Sequence, residues 1–161
     1  MNHSSDNRSE ASEALETAAL SEAALQWAQQ DPSPTTADEL RQLVARAATD
    51  TEASAELASA FTGSLQFGTA GLRAVMAPGP NRMNRTVVRR AAAGVAAHLL
   101  DLAANADKND AGAPYVPRAV VGFDARHNSA DFARDTAAIF AAAGIETFLL
   151  PSPLPTPVLA Y

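Results

Sequence analysis

Two short stretches of this 161-residue chain combine residue types suited to holding an anion. In Phe67-Gly68-Thr69-Ala70-Gly71-Leu72-Arg73, two glycines let successive backbone N–H groups converge, Thr69 adds a hydroxyl and Arg73 a guanidinium. The same spacing also serves an ordinary turn, and both readings stand at this point. In Asp124-Ala125-Arg126-His127-Asn128-Ser129, Arg126 offers a planar fork that matches phosphate oxygens, and Asp124 can hold that fork in place. A local Asp–Arg pair finishing a strand-to-helix corner is the alternative there. Other chemistry is poorly represented. His98 sits at helical spacing beside Val95 and Leu99, as a packed or rim histidine would, and His127 has no partner base or ligand nearby in sequence. No metal-ligand cluster, serine beside a base, or Walker-type loop is visible. The absence of cysteine excludes disulfides, thiolate catalysis and cysteine-ligated zinc.

The elements that would position these residues follow from periodicity and punctuation. Glu13 to Gln30 is rich in Ala, Leu and Glu and reads as a helix ended by Asp31-Pro32-Ser33-Pro34. Thr36 and Glu39 have capping-box spacing, and Leu40, Leu43, Val44 and Ala47 recur on one face of a second helix. A third helix is predicted from Thr51 to Phe61, with Leu57 and Phe61 on one face and Gly63 stopping it. Leu65 and Phe67 then read as a strand feeding a glycine-rich turn.

After Asn84 as N-cap, Val88, Ala91, Ala92, Val95 and Leu99 define a helix that should end near Leu102. Asn105 to Pro117 is predicted to be a mobile surface loop. Ala119 to Phe123 reads as a strand buried on both faces, followed by a helix capped at Ser129 and closed by Gly144, then a strand over Ile145 to Leu150. This βαβ order predicts parallel strands with a right-handed crossover. Pro155-Thr156-Pro157 should open a further helix. The sheet is expected to hold about three strands. Ligands of open parallel sheets collect outside the carboxyl ends of the strands, where the Asp124 segment falls.

Composition narrows the partners. Hydrophobic residues make up 47% of the chain and charged residues 19%, which suits a globular protein. No stretch approaches the roughly twenty apolar residues that span a bilayer, and Met1 to Glu10 are polar, so a cytoplasmic location without membrane association is expected. The net charge of −6 argues against a general nucleic-acid binder. The charges are uneven: residues 1–60 hold eleven acids and three arginines, whereas residues 67–100 hold five arginines and no acid. A solvated helix face or an anionic ligand would each account for that cationic stretch.

Several separated motifs together resemble the α-D-phosphohexomutases, in particular the branch of bacterial phosphoglucomutases, phosphomannomutases and phosphopentomutase-like enzymes. Trp27 with Asp31-Pro32 and the following Thr-x-x-Glu-Leu stretch resembles the helical lead-in. Leu65 to Arg73 with Pro78-Gly79-Pro80 and Arg82-Met83-Asn84 resembles the first active-site segment. Gly122 to Arg126 through Ser129 and Phe132-Ala133 resembles the next, and Pro155-Thr156-Pro157 the lead into a catalytic loop.

The resemblance implies an α/β fold: a partial three-layer α/β/α domain with a mixed or parallel sheet over residues 63–161, preceded by a helical lead-in over residues 1–62. It implies an isomerase that moves phosphate between positions 1 and 6, or 1 and 5, of a sugar through a phosphoserine and a bound bisphosphate. Magnesium would be the cofactor and a glucose 1,6-bisphosphate-type molecule an activator. Arg73 and Arg126 would contact phosphate, with Thr69, Gly71, Asp124 and Ser129 supporting substrate, and no metal ligand would come from this chain. The family's serine loop, Thr-Ala-Ser-His-Asn-Pro in typical members, would fall beyond Tyr161, so the chain alone is expected to be inactive. A non-catalytic phosphate-binding or interaction role is the competing expectation. The sugar and the oligomeric state stay open.

Overall fold

The computed structural model describes residues 3–109 and 116–160, with side chains described over residues 15–105 and 116–160. The chain divides into two compact units, residues 1–86 and 87–161. In the first, helices α1 (His3–Gln30), α2 (Pro34–Ala47) and α3 (Thr51–Phe61) pack on one another. Leu40 and Leu57 are fully buried at their centre. Each contributes about 2 kcal/mol through burial. Trp27 meets Phe61 edge-on, with ring centroids 6.1 Å apart. The α2 stripe is Ala37, Leu40, Leu43 and Ala47, as its period requires, with Val44 only half-buried.

The start of α2 lies earlier than the capping-box spacing suggests. Ser33 is the N-cap, its Oγ accepting from the Thr36 N–H, and Pro34 occupies the first turn. Proline there loses nothing, because its missing N–H would have had no helical partner. Asp50 caps α3 in the same manner, accepting from the N–H groups of Glu52 and Ala53. Helix α1 begins ten residues before the predicted Glu13.

Beyond α3 the first unit holds a hairpin, β1 (Phe67–Gly68) and β2 (Gly71–Leu72), paired antiparallel with Phe67 opposite Leu72. The Leu65–Phe67 segment therefore adds no strand to a larger sheet, and the expected sheet of about three strands is two separate pairs. Pro78-Gly79-Pro80 then packs on the end of α3. Asn81 N–H donates to the Ala60 carbonyl at 3.0 Å, and Leu65 N–H to that of Pro80 at 2.9 Å. Buried Asn84 ties the segment together, its Nδ2 donating to the carbonyls of Gly79 (2.8 Å), Ala77 (3.0 Å) and Arg82 (3.4 Å).

Helix α4 (Arg85–Asn109) runs well past Leu102, so Asn105 to Asn109 are helical instead of loop; the rest of the predicted loop lies mostly outside the described residues. Polar residues can extend a helix whose stripe has already been satisfied upstream. In the second unit β3 (Arg118–Val121), α5 (Ser129–Ala142) and β4 (Glu146–Leu149) form the expected βαβ arrangement, β3 and β4 pairing parallel with Val120 opposite Phe148. Val121, Phe140 and Ile145 form its core with Ala92, Ala96 and Ala133. The α4 stripe is rotated from the predicted one: Val88, Ala92 and Ala96 are buried, whereas Val95 is exposed.

Strand β3 is buried on one face only. Val120 and Phe148 are half exposed, because the two-stranded sheet is covered on the side where Val121 meets α5 and is open on the other. A short helix α6 (Thr156–Ala160) opens after Pro155, as the Pro-Thr-Pro signal predicts. The fold class is α/β.

Candidate functional site

The geometry that can hold an anion lies at the carboxyl ends of β3 and β4. The parallel pairing continues past the strands, with Leu150 N–H donating to the Val121 carbonyl and Leu154 N–H to that of Phe123, both at 2.9 Å. These bonds carry the two loops outward together and leave a cleft of about 110 Å³ between them and the start of α5. Its lining combines polar Asp124, Arg126, Ser129 and Thr156 with apolar Phe123, Leu150, Leu154 and Leu159. Gly122 sits at the base, where a Cβ would come within 3.0 Å of a Leu150 methyl and 3.3 Å of the Leu159 methyls.

Asp124 is the organising group. Its Oδ1 accepts from the Arg126 backbone N–H at 3.1 Å and its Oδ2 from Arg126 Nε at 2.7 Å. Its own N–H donates to Ser129 Oγ at 3.2 Å. The guanidinium is thus gripped at Nε, while the side chain lines the cleft and stays largely exposed, which leaves its terminal nitrogens open to a bidentate contact. Ser129 does not cap α5 as predicted. Asn128 holds that position, in a left-handed conformation and with no side-chain capping bond, because the Ser129 hydroxyl is engaged by the Asp124 N–H. Ser129 N–H turns back to the Arg126 carbonyl, so any preference of the α5 start for an anion rests on the N–H groups that follow it.

Three of the predicted site residues, Asp124, Arg126 and Ser129, are brought together in this unit. The other three belong to the first unit. Thr69 is at the exposed tip of the β1–β2 hairpin, Gly71 has φ of +92°, which favours glycine, and Arg73 leaves β2 on the surface. His98 and His127 are both exposed. Among the described residues no three histidine or acidic side chains converge as a metal site would need, and no helix is long and apolar enough to cross a membrane.

The acid-free run of arginines turns out to be largely structural. Arg82 donates through Nη1 to the carbonyls of Ser59 and Asn81 and through Nη2 to Ser59 Oγ. Arg85 donates to the Pro32 carbonyl at 3.2 Å, and Arg89 bonds buried Asp135 at 2.7 Å. Formal charge along the chain gave no hint of these uses, since the acceptors are carbonyls, a hydroxyl, or a carboxylate 46 residues away.

The backbone N–H of Arg126, then the Ser129 hydroxyl and the Arg126 guanidinium, hold the Asp124 carboxyl below its ordinary value. A carboxylate lowered in this way adds stability above its ordinary value and loses it as pH falls through the depressed one. Carbon-detected NMR should accordingly show Asp124 still ionised where ordinary aspartates are half protonated. Arg126→Ala should move that midpoint upward, and an unchanged midpoint would contradict the assigned grip.

The family model for phosphoglucomutase/phosphomannomutase, alpha/beta/alpha domain I, matches residues 64–161. The chain is similar to a probable phosphomannomutase of Haemophilus influenzae, 49% identical over 79 residues, which cover 49% of this chain and 14% of that protein. It is also similar to a probable phosphoribomutase of Schizosaccharomyces pombe, 34% identical over 142 residues, 88% of this chain and 22% of that protein. A phosphopentomutase of Homo sapiens is 30% identical over 152 residues, 91% of this chain and 23% of that protein. The matches therefore span less than a quarter of these relatives' lengths. No solved structure matches. With the domain I match running through the β3–α5–β4 unit and its Asp124–Arg126 corner, the chain belongs to the phosphoglucomutase/phosphomannomutase family.

Proposed function

We propose that this chain supplies phosphate-positioning loops to a phosphosugar mutase, an intramolecular phosphotransferase that shifts phosphate between two positions of one sugar. The observation that carries this reading is the Asp124–Arg126 grip in a small cleft at the carboxyl ends of parallel strands. Phosphoryl transfer is catalysed largely by placing reactants and by neutralising charge on the equatorial oxygens. Arg126 suits that task. Its Nε is committed to Asp124, so the charge is fixed in place before substrate arrives, and its two terminal nitrogens can meet two phosphate oxygens.

In this reading Arg73, with Thr69 and Gly71 at the hairpin, is a second phosphate contact. Its exposure leaves the guanidinium accessible. Ser129 supports the site by holding the Asp124 backbone. The reaction passes through a phosphoserine and a sugar bisphosphate, as the family membership suggests, with a 1,6-bisphosphate as activator. Magnesium would assist at the serine. The described residues do not form a site for it, and Arg126, Asp124 and Ser129 act in this reading without ligating a metal.

Calorimetric titration with glucose 1,6-bisphosphate and with inorganic phosphate tests the reading. Arg126→Ala should weaken binding about tenfold or more, the loss expected for a charge-assisted contact. Arg126→Lys should recover only part of it, because an ammonium cannot reproduce the fork. Arg134→Ala, which removes an exposed partner of Asp131 on α5, should leave binding unchanged. Equal affinity in the wild type and Arg126→Ala would refute the assignment.

A further inference from the structure

Asn128 is the sole non-glycine residue with positive φ among the described residues, at φ 61°, ψ −2°. Its amide caps no N–H of α5, so the usual reason for asparagine at a helix start does not apply. What its conformation does can be followed through the hydrogen bonds on either side. The reversal at Asn128 lets Ser129 N–H turn back to the Arg126 carbonyl at 3.2 Å, and it presents Ser129 Oγ to the Asp124 N–H at 3.2 Å. Asp124 in turn accepts from the backbone N–H and from Nε of Arg126. Residues 124–129 therefore close a ring of four hydrogen bonds, and the left-handed torsion at Asn128 is the element that closes it. The Asn128 carbonyl meanwhile starts the α5 ladder, accepting from Phe132 N–H at 3.0 Å.

We infer that Asn128 is a positioning residue, whose left-handed backbone, and not its amide, fixes the Asp124–Arg126 pair so that the guanidinium faces the cleft. Asparagine and glycine enter this region far more readily than alanine or branched residues. The inference rests on the phosphate-site reading for its consequence in binding, but its geometric content stands apart from any ligand.

The test uses the whole chain with Asn128→Gly and Asn128→Ala. Two readouts need no ligand: the Arg126 Nε–Hε resonance, expected sharp and slow to exchange while bonded to Asp124, and the Asp124 carboxyl titration. The glycine variant should preserve both and bind inorganic phosphate like the wild type. The alanine variant should broaden the Nε–Hε signal, return Asp124 toward its ordinary titration and bind phosphate about tenfold more weakly, the loss of one charge-assisted bond. Loss of the Nε–Hε signal in the glycine variant, or its retention in the alanine variant, overturns the inference. Should the alanine variant fail to fold, the glycine variant decides alone, since an amide-based role would be lost in it. If no form of the chain binds phosphate, the proposed function fails while the Nε–Hε comparison still settles the role of Asn128.

Discussion

Gly79→Ala is expected to destabilise the first unit by roughly 3 kcal/mol, among the largest effects of any single methyl group added to this chain. Two independent costs meet at this position. The backbone has φ of +106°, a region that side chains with a Cβ rarely enter. An added Cβ would also lie 2.8 Å from the Ala60 carbonyl oxygen and 3.0 Å from the Ala60 Cβ. The obstacle is helix backbone, which cannot turn aside as a leucine end can. Retreat would disturb the bond from Asn81 N–H to that same carbonyl and the bond from Asn84 to the Gly79 carbonyl. Trp27 is the one tryptophan in the chain and lies in this unit against Phe61, so its fluorescence during urea unfolding reports the loss directly. Gly94→Ala in the second unit, followed by hydrogen exchange at the α4 amides because Trp27 lies in the first, is expected to have the opposite sign. Gly94 lies within helix α4 with nothing near its missing Cβ, and alanine there should stabilise by up to about 1 kcal/mol. A Gly79→Ala midpoint equal to that of the wild type would refute the packing described for Pro78-Gly79-Pro80.

The helices were legible because their apolar residues repeat at the helical period and their ends carry proline, aspartate or glycine. The βαβ order was legible for the same reason, and the Asp124–Arg126 grip because its partners are two residues apart. What could not be read depended on distance or torsion. Val88 and Ala92 fall on the buried side as their spacing requires, but Val95 and Ala96 differ by one turn-fraction around α4, and only the facing elements decide which is covered. Val120 looked doubly buried because an apolar run cannot report how many layers flank a strand. The arginine-rich stretch resembled a surface for an anion, yet Arg82, Arg85 and Arg89 serve Ser59, Pro32 and Asp135, all remote in sequence. The left-handed turn at Asn128 left no periodic trace at all.

The pairing of Arg89 with Asp135 leads to the second large prediction. Asp135 on α5 is 6% exposed, while Arg89 on α4 is 43% exposed and reaches it at 2.7 Å. Charges of this kind rarely add net stability over well-packed apolar residues, but removing one member is costly because the other remains desolvated. The two single losses should therefore be unequal. Arg89→Met keeps the aliphatic stem and withdraws this partner from a buried carboxylate, and should cost about 2–3 kcal/mol, somewhat below the full penalty for a wholly buried pair because Arg89 is partly solvated. Asp135→Leu leaves a guanidinium that can turn to water, and should cost less, near 1 kcal/mol. The double variant Arg89→Met/Asp135→Leu should be more stable than Arg89→Met alone, since the buried carboxylate is then removed together with its partner. Hydrogen exchange at the amides of α5 and β4 measures these differences within the second unit. Equal losses in both single variants, or a double variant no better than Arg89→Met, would show that the contact is a surface pair with no part in holding α4 to α5.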